Sequence, residues 1–268
     1  MDNRPVLFID SGIGGLPYCS DFIKHNPQEE VCYLADQKNF PYGQCTKEEL
    51  SSILTALTEK LLKKIDPKIA VLACNTASVC ALESLRQNFP QIPFVGTVPA
   101  IKPAAKFSLT GKIGVLGTAR TIEDPYIQNL AKDYEIFGVA APELVEFVEQ
   151  RLDKASETER TQIVKKYIEL FSSKGADTLV LGCTHFLHLL EEFKREASNS
   201  SCVPSIKIFD SQDGVTKRIE FLLNENNGAL RASNNFKGAH RLFLTGTPSA
   251  DALWQNRAQN MNFKLCLL

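Results

Sequence analysis

A chain of 268 residues with 44 % apolar and 23 % charged side chains can bury one large core or two modest ones. Its formal charge of −1 at pH 7 gives no electrostatic footprint for nucleic acid or an anionic membrane, and no apolar run approaches the ~20 residues needed to span a bilayer. Met1-Asp2-Asn3-Arg4-Pro5 runs straight into an apolar stretch without a basic-then-apolar leader, so a cytoplasmic location is expected.

Val6-Leu7-Phe8-Ile9 predicts a first strand, followed by the glycine-rich Asp10-Ser11-Gly12-Ile13-Gly14-Gly15 and a helix from Leu16 to about His25. Val31-Cys32-Tyr33-Leu34 predicts a second strand. The loop after it, Ala35 to Cys45, contains Phe40-Pro41-Tyr42-Gly43. Thr46-Lys47-Glu48-Glu49 is a capping-box pattern that opens a helix ending near Lys64. Lys68-Ile69-Ala70-Val71-Leu72 is a buried-strand pattern that runs into Ala73-Cys74-Asn75-Thr76-Ala77-Ser78. A helix from about Ala77 to Gln87 and a short strand at Phe94-Val95-Gly96 follow. Repeated βα alternation predicts a parallel sheet covered by helices.

Pro99 and Pro103 interrupt the pattern between Thr97 and Lys106, and the order then restarts. Lys112 to Thr118 predicts a strand and turn, Thr121 to Lys132 a helix, Tyr134 to Val139 a strand, and Thr158 to Ser172 a helix. Asp177-Thr178-Leu179-Val180-Leu181 is the next strand; it ends in Gly182-Cys183-Thr184-His185 and a helix through Arg195. Thr118 lies 107 positions after Ser11, and Cys183 lies 109 after Cys74. The chain therefore reads as two related lobes. A polar stretch, Ala197 to Ser205, ends the second. A strand at Ile206 to Asp210, a helix at Gly214 to Leu223, a loop at Asn224 to Gly238 and a last strand at Arg241 to Thr245 are expected to return to the first lobe, because a lone strand–helix–strand cannot form its own core. The expected fold is α/β: two pseudo-symmetric lobes, each a mostly parallel sheet flanked by helices, with the active site in the cleft between them. The expected domains are residues 1–97 plus 207–268, holding Cys74, and residues 98–206, holding Cys183.

The two cysteine turns carry the chemistry. Each offers a thiol, hydroxyls and backbone N–H groups at a strand-to-helix elbow, where an anion can be held and a thiol activated. The eight cysteines, Cys19, Cys32, Cys45, Cys74, Cys80, Cys183, Cys202 and Cys266, include no Cys-x-x-Cys pair, so free thiols and no metal site are expected. Asp10 ends a strand at the edge where open α/β sheets bind ligands; the alternative for its glycine-rich turn is close packing alone. His185 stands two residues from a candidate thiol, whereas His25, His188 and His240 read as structural or surface groups.

Taken in order and spacing, Asp10-Ser11-Gly12-Ile13-Gly14-Gly15, Pro41-Tyr42-Gly43, Ala73-Cys74-Asn75-Thr76-Ala77-Ser78 and Gly182-Cys183-Thr184-His185 closely resemble the glutamate racemases of the aspartate/glutamate racemase superfamily. The resemblance runs from Val6 to about Gly246. It implies a cofactor-independent racemisation in which Cys74 and Cys183 remove and return the α-proton on opposite faces, Cys74 acting on D-glutamate and Cys183 on L-glutamate. It implies that Asp10 and His185 assist the thiols or hold the substrate ammonium, and that Asp10, Ser11, Tyr42, Gly43, Asn75, Thr76, Thr184 and His185 contact the substrate, with Thr118 and Thr121 as further candidates. Glu149 best matches the family's acidic residue near the second thiol; a solvated acidic helix face is the alternative. The partner expected is the small-molecule substrate glutamate, with no nucleic acid or membrane and a homodimer as a candidate assembly. D-glutamate for peptidoglycan synthesis is the implied product.

Three other readings compete. A racemase of aspartate or another acidic amino acid would use the same thiols. A thiol hydrolase would use Cys183 with His185 as base, although residues two apart at a sharp turn are expected to face each other poorly. A non-catalytic amino-acid-binding protein could keep the same architecture.

Overall fold

The apolar runs do form strands, and the inner ones, buried at every position, read as continuous rather than alternating patterns. A computed structural model describes residues 1–130, 133–199, 205–228, 230–233, 236–246 and 252–268. Two compact units emerge, residues 1–97 with 212–268, and residues 98–211.

In the first unit, β1 (Val6–Asp10), β2 (Val31–Ala35) and β3 (Ile69–Leu72) are buried at every position. They alternate with α1 (Leu16–His25), α2 (Lys47–Leu62) and α3 (Asn75–Asn88), and β4 (Phe94–Gly96) follows. The capping box at Thr46 and Glu49 forms as the sequence predicts and starts α2. Gly15 has an ordinary negative φ, and its role is close approach: a Cβ there would lie 2.7 Å from the Ala73 Cβ and 3.0 Å from the Ala73 carbonyl oxygen. The glycine lets α1 start against the strand end that leads to Cys74.

The second unit opens with α4 (Ile101–Phe107) and β5 (Lys112–Gly117), then α5 (Ala119–Glu123), α6 (Pro125–Asn129) and β6 (Glu135–Ala140). Next come α7 (Pro142–Glu146), a π turn (Phe147–Arg151) and α8 (Glu157–Ser173). β7 (Thr178–Leu181), a 3₁₀ turn (Thr184–Leu189), α9 (Leu190–Asn199) and β8 (Lys207–Phe209) complete it. The chain then re-enters the first unit through α10 (Gln212–Gly228), β9 (His240–Leu244), α11 (Ala252–Asn260) and β10 (Phe263–Leu267).

The first sheet has the order β10-β9-β2-β1-β3-β4 and the second β6-β5-β7-β8, with every pairing parallel. Each contains the same four-strand order: the unit's first strand pairs with its second on one side and with its third on the other. Successive crossovers therefore leave the first strand in opposite directions, which opens a crevice at the strands' carboxyl ends in each unit. Registers agree as well. Ile9 is level with Leu72, and Leu116 with Leu181. Continuing each by two residues sets Ser11 level with Cys74 and Thr118 level with Cys183.

Several elements differ from the sequence expectations. Ile206–Asp210 was expected to return to the first lobe; instead β8 pairs with β7, Thr178 level with Lys207 and Val180 with Phe209. It covers a strand edge that would otherwise lie open, and the second unit ends at Ser211 rather than at 206. Pro99 and Pro103 predict a break over residues 97–106, yet α4 forms there, because Pro103 occupies the first helical turn, where its missing N–H costs nothing. The helix expected from Thr121 to Lys132 is two short ones split before Pro125, and Lys132 lies outside the described residues. The strand at Arg241–Thr245 is not the last, since β10 adds an edge beyond it. Cys202 and most of the polar stretch before Ser205 also lie outside the described residues.

Candidate active site

In the first unit β3 delivers Cys74 to the carboxyl edge of the sheet. α3 begins at Asn75, two residues earlier than its periodicity predicts, so Cys74 is its N-cap, with extended backbone (φ −150°, ψ 122°) and no side-chain capping bond. The elbow is pinned from behind. Ser78 Oγ donates to the Cys74 carbonyl (2.8 Å) and accepts from Thr97 N (2.8 Å), while Thr97 Oγ1 donates to the Leu72 carbonyl (2.8 Å). Asn75 and Thr76 are buried on the first turn, and neither polar atom of the Asn75 side chain has a hydrogen-bond partner. A buried amide in that state is costly unless something else meets it.

Asp10 and Ser11 leave β1 beside this elbow, both buried, with Ser11 N donating to Asp10 Oδ1 at 2.6 Å. Tyr42 is buried against the same core as Cys74, and Gly43 is half-buried after it. Burial pushes the Tyr42 phenol well above its usual range; the Asp36 carboxylate adds to this, with Cys74 and Asp10 contributing further. Tyr42, Cys74 and Asp10 thus share one electrostatic environment.

The second unit repeats the backbone arrangement. Cys183 follows β7 and Gly182 and caps a 3₁₀ turn with φ −134° and ψ 134°. Thr118, level with it, caps α5: its Oγ1 accepts from Thr121 N (3.2 Å) and lies 3.0 Å from Thr121 Oγ1. Thr184 and His185 are buried just after the thiol. The side chains differ from those of the first unit. His185 Nδ1 lies 3.9 Å from Cys183 Sγ, and His185 Nε2 lies 3.1 Å from Glu149 Oε2. The expectation that the cysteine and histidine would face each other poorly is therefore corrected: the tight 3₁₀ turn folds the imidazole back over the thiol. Glu149 is 5 % exposed, which removes the solvated-face alternative. It sits in the π turn, with its carboxylate buried against the imidazole. Carboxylate, imidazole and thiol form a line that can orient the ring and take or give a proton at sulfur.

Sequence reading missed Asp36, Ser78, Thr97 and Thr245 as supports of the first thiol turn and of the Tyr42 turn. The signal available was position alone: Asp36, Thr97 and Thr245 each directly follow a strand at the same carboxyl edge. Among the described residues no cluster of His, Cys, Asp and Glu has the geometry to hold a metal ion, and no helix is long and apolar enough to cross a membrane.

The Asp/Glu/Hydantoin racemase model matches residues 22–216. A glutamate racemase from Roseiflexus sp. (strain RS-1) is 36 % identical over 249 residues, covering 91 % of this chain and 88 % of that one. One from Shewanella piezotolerans is 38 % identical over 245 residues, covering 90 % and 88 %. The crystal structure of Escherichia coli glutamate racemase in complex with L-glutamate and the activator UDP-MurNAc-Ala superposes with a TM-score of 0.83 at 28 % identity, covering 98 % of this chain and 97 % of that one. The chain belongs to the Asp/Glu/hydantoin racemase family.

Proposed function

We propose that this protein is an isomerase that interconverts L-glutamate and D-glutamate, using Cys74 and Cys183 as the two acid–base groups. The observation that carries the reading is the equivalence of the two thiols. They occupy the same place in two copies of one topology, each buried at an elbow after the third strand of its unit. The similarity to glutamate racemases over about nine-tenths of the chain supplies the substrate.

One cysteine, as thiolate, takes the α-proton from one face of the amino acid while the other, as thiol, delivers a proton to the opposite face. After turnover the first is a thiol and the second a thiolate, which is the form competent for the reverse reaction. Cys74 starts from D-glutamate and Cys183 from L-glutamate. His185, oriented by Glu149, serves the second thiol, and Asp10 the first. The substrate's carboxylates need donors placed before the charge develops. Asn75 offers an amide with no internal partner, next to the N–H groups of the α3 first turn. Ser11, Thr76, Tyr42 and Gly43 are the first unit's candidate contacts, and Thr184, Thr118 and Thr121 the second unit's. The reading needs no cofactor for these steps, places the enzyme in the cytoplasm, and assigns its product to peptidoglycan synthesis.

Incubation with either enantiomer in heavy water, without added pyridoxal phosphate, tests this. Racemisation with deuterium appearing at Cα of the product is expected. Turnover of aspartate without turnover of glutamate would overturn the substrate assignment.

A further inference from the structure

Asp36 stands one residue beyond β2, where its N–H donates to the Asp10 carbonyl at 2.8 Å. Its carboxylate is fully buried, yet it serves neither thiol in the mechanism above. Three side-chain donors converge on it. Tyr42 Oη (2.9 Å) and Asn39 Nδ2 (2.8 Å) donate to Oδ2, and Thr245 Oγ1 (2.5 Å) donates to Oδ1. The same Thr245 hydroxyl accepts from Lys38 N at 3.0 Å, so its own proton is left to go to the carboxylate. Asp36 is therefore an acceptor at both oxygens, the state in which a buried carboxylate is tolerated.

The donors come from three separate places: the 3₁₀ turn Gln37–Asn39, the 3₁₀ turn Tyr42–Gln44, and the end of β9. Short 3₁₀ turns have poor internal hydrogen-bond geometry and little rigidity of their own. Here a single charged acceptor ties both to the sheet. The Tyr42 proton is committed to Asp36, so the hydroxyl is a tether and not a donor toward substrate. Thr245 makes the arrangement more than local, since it arrives only when the C-terminal segment lays β9 beside β2.

We propose that Asp36, braced by Thr245, is a positioning residue that holds Tyr42 and, through it, the Tyr42–Gly43 backbone in the orientation that receives glutamate. This rests on the reading of Tyr42 and Gly43 as substrate-contacting residues. Charged hydrogen bonds of this kind set the scale: Asp36→Asn raises KM for both enantiomers by about tenfold while kcat stays within about twofold. Tyr42→Phe, which removes the tethering hydroxyl and keeps the ring, reproduces the KM effect. The Asp36→Asn/Tyr42→Phe double variant shows a KM close to that of the larger single variant, because both break one link. Thr245→Val leaves the carboxylate in place and gives a smaller rise in the same direction. The measurement is steady-state kinetics in both directions, with thermal melting of each variant alongside. The proposal is overturned if Asp36→Asn lowers kcat at unchanged KM, if the two single effects multiply in the double variant, or if melting falls in all variants while KM does not move. Wild-type protein without glutamate racemisation would overturn the reading of the site itself; an active wild type whose Asp36→Asn and Thr245→Val forms keep normal KM overturns the positioning role alone.

Discussion

The two units place a thiol at the same topological point and then surround it differently. Around Cys74 the first unit gathers an unpartnered amide, a tethered tyrosine and a carboxylate at the end of β1. The position corresponding to Asp10 in the second unit is Gly117, as the matching backbone bonds from Asp36 N to the Asp10 carbonyl and from Ala141 N to the Gly117 carbonyl make plain. The second unit brings its carboxylate from elsewhere, the π turn, and hands it to His185. Backbone symmetry thus fixes where the thiols sit, while the side chains around them are free to differ. The two-thiol reaction proposed above asks for that division: one role for both sulfurs, with different neighbours for opposite faces of a chiral substrate.

The largest test of this comparison removes either sulfur. Cys74→Ala and Cys183→Ala are each expected to lower kcat by at least about a thousandfold, the range of lost general acid–base catalysis, in both directions. A variant that retained near-wild-type racemisation would break the equivalence. Next is the imidazole's partner. Glu149→Gln removes the charged acceptor at His185 and is expected to lower kcat roughly tenfold to hundredfold with a smaller change in KM. Equal loss in KM alone would mean that Glu149 only shapes the turn. The Asn75 amide should behave in the opposite way. Asn75→Ala is expected to raise KM by about tenfold while thermal stability holds or rises slightly, because the change deletes a buried group with no internal partner. A clear drop in melting temperature would show that the amide supports the fold instead.

The smallest effect concerns the strands that only the first unit adds. His240 opens β9, stacks on Phe236, and accepts from Val31 N through Nδ1 at 3.2 Å. Burial lowers its pKa below 6.5. The unfolded chain therefore binds this proton first as pH falls. The stability contributed by neutral His240 is complete above about pH 6.5 and is lost as pH drops through the folded pKa. Denaturant midpoints measured between pH 7.5 and 5.5 should fall for the wild type, and fall less for His240→Phe.

Much of the fold was legible in the residues because its determinants are local. Short apolar runs ending in small or polar residues marked β1, β3 and β7, and the Thr46–Glu49 box marked the start of α2. Both thiol turns, Asp10, Tyr42, Asn75 and His185 could be picked out from motif and spacing. The misses share a cause. The β8 segment pairs with β7 and not with the first sheet, and α11 with β10 continues beyond the expected last strand; each depends on which edge is open after everything else has packed. Glu149 read equally well as a surface acid, since nothing in its neighbourhood announces a π turn.

The sequence by itself determined the alternation of strands and helices, the duplication, and the candidate residues that stand at each elbow, since period, caps and turn residues act over a few positions. Only the tertiary structure decided that Glu149 meets His185 across 36 positions and that Thr245 reaches Asp36 across 209. Such pairings are set by sheet order and burial, where a carboxylate out of water must find donors wherever the packed chain brings them.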